Sequence, residues 1–313
     1  MTREWTAEEI PDQRGRAAIV TGANSGLGRI VARELARHGA RVVVASRDNA
    51  KGAEAARAIT TAFPSSTVEA ERLDLADLSS VRAFADRIRA GHDHIDLLIN
   101  NAGVMAAPYQ RTADGFELQL GTNHLGHFAL TGLLLPLLNN RPDARVVTVS
   151  SQNHRRGQMR FDDLQGEHRY SRWGAYAQSK LANLLFAFEL DRRLKSAGWQ
   201  LISVAAHPGY SATNLQLSGP PAHERVLLRI GNRLIAQPAE MGALPILYAA
   251  TAPGVLGGSY VGPDGPGEAR GHPVLVQATK RANDEDDARR LWDISERLTG
   301  VTYDFRAPAG RSI

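Results

Sequence analysis

RAAIVTGANSGLGRIVARELARHGA, residues 16–40, begins as a short apolar run, breaks at a cluster of glycines and resumes with apolar residues at helical spacing. Ala17 to Val20 suit a strand, and Leu27, Ile30, Val31 and Leu35 recur at the intervals of an amphipathic helix. Gly22, Gly26 and Gly28 fill the turn between them. Glycine lets the backbone turn tightly and approach a ligand closely, and the helix that follows presents its unpaired first amides. Strand, glycine turn and helix in this order make a cradle for a pyrophosphate. The spacing is G-x-x-x-G-x-G, not the G-x-G-x-x-G of the common dinucleotide fingerprint, so the reading rests on placement between strand and helix.

Outward from this turn the rhythm repeats. RVVVAS (41–46) is followed by the alanine-rich NAKGAEAARAITTAF (49–63), TVEAERLDL (67–75) by SSVRAFADRIRAG (79–91), and IDLLINNAG (95–103) by a long apolar helix, GFELQLGTNHLGHFALTGLLLPLL (115–138). ARVVTVSS (144–151) and LISVAAHPG (201–209) are further strands, with a helix around residue 176 between them. Alternating strands and helices, the strands apolar on both faces, predict a doubly wound parallel α/β sheet, a Rossmann fold, in a single domain over residues 1–313. Between 209 and 270 glycine and proline loosen the pattern, which reads as an insertion and loops beside the carboxyl ends of the strands. ERVLLRIGNRLI (224–235) within it reads equally as a lid helix or a helix packed on the core, and DARRLWDISERLTGV (287–301) as a closing surface helix.

The composition narrows the chemistry. The 313 residues contain no cysteine, which excludes disulfides, thiolate catalysis and cysteine-ligated zinc. No apolar window is long enough for a membrane span and the first residues lack the apolar core of a signal peptide, so a cytoplasmic location is expected. The formal charge of +4 is spread along the chain without interleaved aromatics, which favours a phosphorylated small molecule over nucleic acid. The histidine pairs His92/His94 and His124/His127 lack ligand spacing to a carboxylate, so no metal is expected, and His207 is read as serving its turn.

The end of the second strand selects among dinucleotides, because an acidic residue there binds a ribose 2′-hydroxyl whereas an arginine accepts a 2′-phosphate. Ser46 is followed by Arg47 and Asp48, and Asp48 is explained as the cap of the next helix. Arg47 therefore favours NADP over NAD. Further along, GAYAQSKLANLLF (174–186) puts Tyr176 and Lys180 four residues apart on one helical face. Of 37 basic residues only Lys51, Lys180, Lys195 and Lys280 are lysine, so Lys180 stands where a compact ammonium is wanted.

These segments together resemble the short-chain dehydrogenase/reductase family over nearly the whole chain: TGANSGLG (21–28), LDL (73–75), NNAG (100–103), TNHLGHF (122–128), VVTVSS (146–151), YAQSK (176–180) and HPG (207–209). SRDNAKG, DDLQGE, SKLANLLF and RLWDISERLTG are most similar to its retinol dehydrogenase-like branch. The resemblance implies that Gly22, Asn24, Ser25, Gly26, Leu27 and Gly28 wrap the cofactor phosphates and that Arg47 meets the 2′-phosphate. By the same resemblance Asp74 and Leu75 border the adenine, Asn101, Ala102 and Gly103 the adenosine-side ribose, and Pro208, Gly209 and Thr213 the nicotinamide. It also implies a catalytic group of Asn123, Ser151, Tyr176 and Lys180, with Ser150 the alternative to Ser151. Members of that branch often carry an N-terminal membrane anchor, which is not expected here, and cysteines, which these 313 residues lack, so the resemblance speaks to the reaction more than to the substrate.

Hydride transfer at a carbonyl carbon requires a proton to travel with it. A phenol has a pKa of about 10, and lowering it by three units takes about 4 kcal/mol, which an ammonium about 4 Å away in a dielectric near 20 supplies. Lys180 is expected to do this for Tyr176, Ser151 to hold the substrate oxygen or simply cap its strand end, and Asn123 to hold a proton-relay water or a neighbouring backbone group. The expected activity interconverts an alcohol and an aldehyde or ketone on an apolar small molecule, in a monomer or homodimer. A cofactor-loaded sensor or scaffold without turnover, and a carbon–carbon double-bond reductase of protochlorophyllide reductase type, are the alternatives.

Overall fold

The computed structural model describes residues 4–138, 143–210 and 237–306. Eight strands form one sheet in the order β3-β2-β1-β4-β5-β6-β7-β8. β1 (Ala17–Thr21), β4 (Leu97–Asn100) and β5 (Arg145–Val149) are buried along their whole length, and β2 (Arg41–Ser46) and β6 (Ile202–Ala206) over all but the first residue. Such continuous apolar strands are what a parallel sheet with helices on both faces requires. β3 (Val68–Arg72) is the half-buried edge, and β7 (Tyr260–Pro263) continues the parallel order beyond β6. β8 (Pro273–Leu275) turns back antiparallel on β7.

Alternate residues of each strand feed different layers. Ala18 and Val20 face a cluster with Val31, Leu35, Ile246 and Leu247, while Ala17 and Ile19 face Phe84, Phe128 and Leu190. The first layer contains α1 (Gly26–Arg37) and α7 (Ala239–Thr251); the second contains α3 (Leu78–Gly91), α5 (Gly126–Leu134) and α6 (Arg172–Ser196). α2 (Asn49–Ala62) starts where Asp48 accepts the Lys51 amide at 3.1 Å, the cap read from the sequence. Ile19 pairs with Val43 on one side and Leu98 on the other. The chain thus leaves β1 in one direction for β2 and β3 and crosses back to β4, opening a crevice at their carboxyl ends.

Three segments differ from expectation. The long apolar helix begins only at α4 (Leu118–Leu120), where the buried Glu117 carboxylate accepts the Gln119 and Leu120 amides at 2.9 and 2.7 Å. It widens into a π turn at Gly121–Leu125 before α5. The loosened 209–270 region contains α7, with Pro245 inside it, and β7; the candidate lid 224–235 lies outside the described residues. The tail helix, α8 (Glu285–Thr299), is amphipathic but not merely superficial: Trp292 is buried, edge-on to Phe128 at 5.0 Å and stacked on Phe186 at 5.9 Å. Among the described residues no helix is long and apolar enough to cross a membrane.

Candidate active site

β1 delivers the glycine turn to the crevice. Gly22 and Gly26 have φ of +67° and +55°, the left-handed region that glycine enters without penalty. A Cβ on Gly28 would come within 2.5 Å of Asn101 Nδ2 and 2.7 Å of the Gly22 carbonyl. Asn101 is fixed in turn, because its Nδ2 donates to the Thr21 carbonyl at 2.8 Å. The Thr21 hydroxyl accepts the amides of Asn101 and Ala102, both at 2.9 Å, and meets His127 Nε2 at 2.9 Å. Since His127 Nδ1 faces the Asn123 carbonyl at 3.0 Å, it is the donor there and Nε2 accepts the threonine proton.

Ser25, the residue before α1, makes no side-chain capping bond, so the helix presents uncapped first-turn amides to a cleft of 470 Å³ lined by Ser25, Gly26, Leu27 and Gly28. Arg47 also lines this cleft, and among the described residues it makes no ion pair, whereas Lys51 is held by Asp48 at 3.2 Å. A positive helix end, glycines without side chains and a guanidinium lining the cleft fit a phosphorylated dinucleotide.

The opposite end of the cleft belongs to α6. Tyr176 and Lys180 both line it one turn apart, with Gly22, Asn101, Ala102, Gly103, Ser150 and Pro208 completing walls predicted from the sequence. Tyr176 is hydrogen-bonded to the Ser151 hydroxyl, which also accepts the Asn153 amide at 3.2 Å. Ser151 thus caps the turn after β5 beside the phenol, and it does not itself line the cleft. Ser150 borders the cleft, but its hydroxyl donates to the Lys180 carbonyl at 2.7 Å on the helix behind.

Lys180 Nζ donates to the Val149 carbonyl at 3.0 Å and lies 5.8 Å from the centre of the Tyr176 ring. Burial dominates both groups. It pushes the Tyr176 phenol up to about 12, with the Ser151 hydrogen bond opposing, and pulls the Lys180 ammonium down to about 8. At neutral pH the site holds a neutral phenol poised to donate and a charged lysine. To act as a base the phenol must first ionise, which burial opposes and nearby positive charge favours.

Asn123, in the π turn, accepts the Val104 amide on Oδ1 at 2.7 Å and donates from Nδ2 to the Val104 carbonyl and Ser179 Oγ, both at 2.9 Å. Both Nδ2 hydrogens are engaged, so the amide braces the wall at Gly103–Val104. Asn24 opens onto a neighbouring hollow with Arg29 and Lys51. Asp74 accepts the Ala76 amide, and Leu75 is buried where a Cβ on Gly126 would strike it; neither lines the cleft. Gly209 lies behind Pro208, its amide donating to His207 Nδ1 at 3.2 Å, and Thr213 lies outside the described residues. Sequence reasoning missed Met105, Ala107, Pro108 and Leu118, the apolar wall; their only signal is that most of them directly follow NNAG.

A model of the short-chain dehydrogenase family matches residues 16–221. Retinol dehydrogenase 11 of Mus musculus is 44% identical over 293 residues, covering 93% of this chain and 88% of that protein. Polyprenol dehydrogenase of Mus musculus is 43% identical over 302 residues, with 93% and 86% covered. A crystal structure of an uncharacterized protein from Mycobacterium paratuberculosis is similar with a TM-score of 0.81 and 48% identity, covering 96% of this chain and 100% of that one. A structure from Beutenbergia cavernae with bound NADP has a TM-score of 0.61 and 28% identity, covering 79% of this chain and 94% of that one.

Proposed function

The chain belongs to the short-chain dehydrogenase family, and from that premise we propose that it is an NADP(H)-dependent enzyme interconverting an alcohol and an aldehyde or ketone on an apolar small molecule, with Tyr176 as the acid and base. It is an oxidoreductase acting on CH–OH groups with a nicotinamide cofactor. The observation that carries the finer reading is the single cleft in which the glycine turn and Arg47 stand at one end and Tyr176 and Lys180 at the other.

When bound, the nicotinamide supplies or accepts the hydride. The chain's residues handle the rest. In the reductive direction the Tyr176 hydroxyl donates its proton to the substrate oxygen, and Ser151, hydrogen-bonded to the same phenol, orients that oxygen. Lys180 keeps its charge at neutral pH and opposes reprotonation of the phenolate it has helped to form. Asn123 keeps the Gly103–Val104 wall in place beside the lysine.

Arg47 supports NADP, because its guanidinium lines the cleft just after β2, makes no ion pair among the described residues and offers a bidentate partner to a 2′-phosphate. Met105, Ala107, Pro108 and Leu118 support an apolar substrate, in keeping with relatives whose names specify retinol and polyprenol. Fluorescence titration with NADPH and NADH, followed by a panel of apolar aldehydes and ketones, tests the proposal. NADPH binding at least about tenfold tighter, with turnover of a panel member, is expected. A tenfold preference for NADH overturns the reading of Arg47, and cofactor binding without turnover of any member overturns the proposed reaction.

A further inference from the structure

Among the described residues only Ala106 and Glu268 are non-glycines with left-handed backbone: Ala106 lies between two residues that line the cleft, and Glu268 is in the loop joining β7 to β8. Glu268 has φ of +56° and follows Gly267 at +61°. A residue with a Cβ is disfavoured there, and such conformations persist where surrounding contacts impose them.

The contacts around Glu268 reach in two directions. Its Oε2 accepts from His207 Nε2 at 3.0 Å and its Oε1 from Arg155 Nη2 at 2.6 Å. The backbone on either side does likewise: the Gly267 carbonyl accepts from Gln152 Nε2, and the Ala269 carbonyl accepts the Tyr210 amide at 2.7 Å. Gln152 and Arg155 belong to the turn that Ser151 caps. His207 and Tyr210 flank Pro208 and Gly209. Three consecutive residues therefore clasp the serine turn and the Pro208–Gly209 turn together.

His207 relays the hold. It is fully buried, with its ring 5.2 Å from that of Tyr260, and a Cβ on Gly262 would collide with it. The Gly209 amide donates to Nδ1, so Nδ1 is bare and the proton is on Nε2, aimed at Glu268. Without a carboxylate at Nε2 the other tautomer becomes accessible, and its Nδ1–H would oppose the Gly209 N–H.

The geometry points to Glu268 as a positioning residue that sets the separation between the Ser151 turn and the Pro208–Gly209 turn, and so the distance between the bound carbonyl and the nicotinamide end of the cleft. This rests on the function proposed above. The two hydrogen bonds to His207 and Arg155 also hold the Glu268 carboxyl below its ordinary range, as a permanent anion at neutral pH.

Glu268→Gly separates positioning from scaffolding, because glycine accepts φ of +56° freely while removing the carboxylate. The full chain carrying E268G is expected to remain folded and to lose roughly 10- to 100-fold in kcat/KM on the best substrate of the panel. Its His207 ring, followed by ¹⁵N-resolved NMR, is expected to leave the pure Nε2–H form. E268Q, which keeps an oxygen for His207, is expected to retain the Nε2–H signal and recover most of the activity. E268G with kcat/KM within about twofold of the parent, or with an unchanged His207 signal, overturns the assignment. A parent that turns over nothing in the panel refutes the proposed function instead, and the NMR signal still reads the clasp.

Discussion

Lys180→Met isolates what the lysine charge does for the phenol. Nζ lies 5.8 Å from the Tyr176 ring centre; a unit charge at that distance in an effective dielectric near 20 is worth about 3 kcal/mol, or about two pH units in a titration. Burial holds the phenol at about 12, so alcohol oxidation, which needs the phenolate, runs on the rising limb of its pH profile at neutral pH. Removing the charge should move that limb upward by about two pH units and lower kcat/KM for oxidation at pH 7 roughly 100-fold. Carbonyl reduction starts from the neutral phenol and should fall less. The fold should survive: Asn183 Nδ2 also donates to the Val149 carbonyl at 3.0 Å, so the lysine's acceptor keeps a partner. The sign of the stability effect is fixed by Lys180 itself. Its pKa falls from 10.5 to about 8 on folding, so below pH 8 the buried ammonium is a burden that methionine removes, and the melting temperature should hold or rise. Profiles of kcat/KM for oxidation below pH 8, where Lys180 carries its charge, with parent and variant in parallel, decide the matter. A limb displaced by less than about half a pH unit would refute the electrostatic role.

Gly28→Ala places a methyl 2.5 Å from Asn101 Nδ2, which Thr21 holds, and 2.7 Å from the Gly22 carbonyl. The turn must shift at a cost of roughly 1–3 kcal/mol, so NADPH affinity should fall about 10- to 100-fold by fluorescence titration, and an unchanged Kd would contradict the cradle. Burial lowers His124 to about 3 and His127 and His154 to about 4, against 6.5 when unfolded. Unfolding therefore takes up protons, and stability should fall as pH drops from 6.5 toward 4, by on the order of 3 kcal/mol for each histidine; urea melts across that interval that do not move would contradict it.

The strands of the central sheet were readable because burial on both faces leaves no polar interruption, as in Val42 to Ala45, and α6 because four-residue spacing puts Tyr176 and Lys180 on one face. Spacing says nothing of environment. That the ammonium turns to the Val149 carbonyl and that desolvation outweighs its pull on the phenol follow from packing around α6. α7 was hidden by Pro245 and by the glycine- and proline-rich sequence around it, and β8 by its three-residue length. The π turn around Asn123 leaves no mark on apolar periodicity, yet it aims the amide at Val104. Trp292 looked like one apolar residue of a surface stripe; its burial depends on Phe128 and Phe186, distant in sequence. Glu268 lies in a glycine-rich loop whose partners, His207 and Arg155, come from two other loops, so no local pattern announces it.

Proton transfer by Tyr176 is tested most directly by Tyr176→Phe, assayed for NADPH binding and for single-turnover reduction of the best carbonyl substrate. Phenylalanine fills the same buried space without the hydroxyl that meets Ser151, so cofactor affinity should stay within about threefold while the rate of reduction falls roughly 10²- to 10⁴-fold. A variant that binds NADPH normally and reduces the substrate within about tenfold of the parent rate would contradict the account.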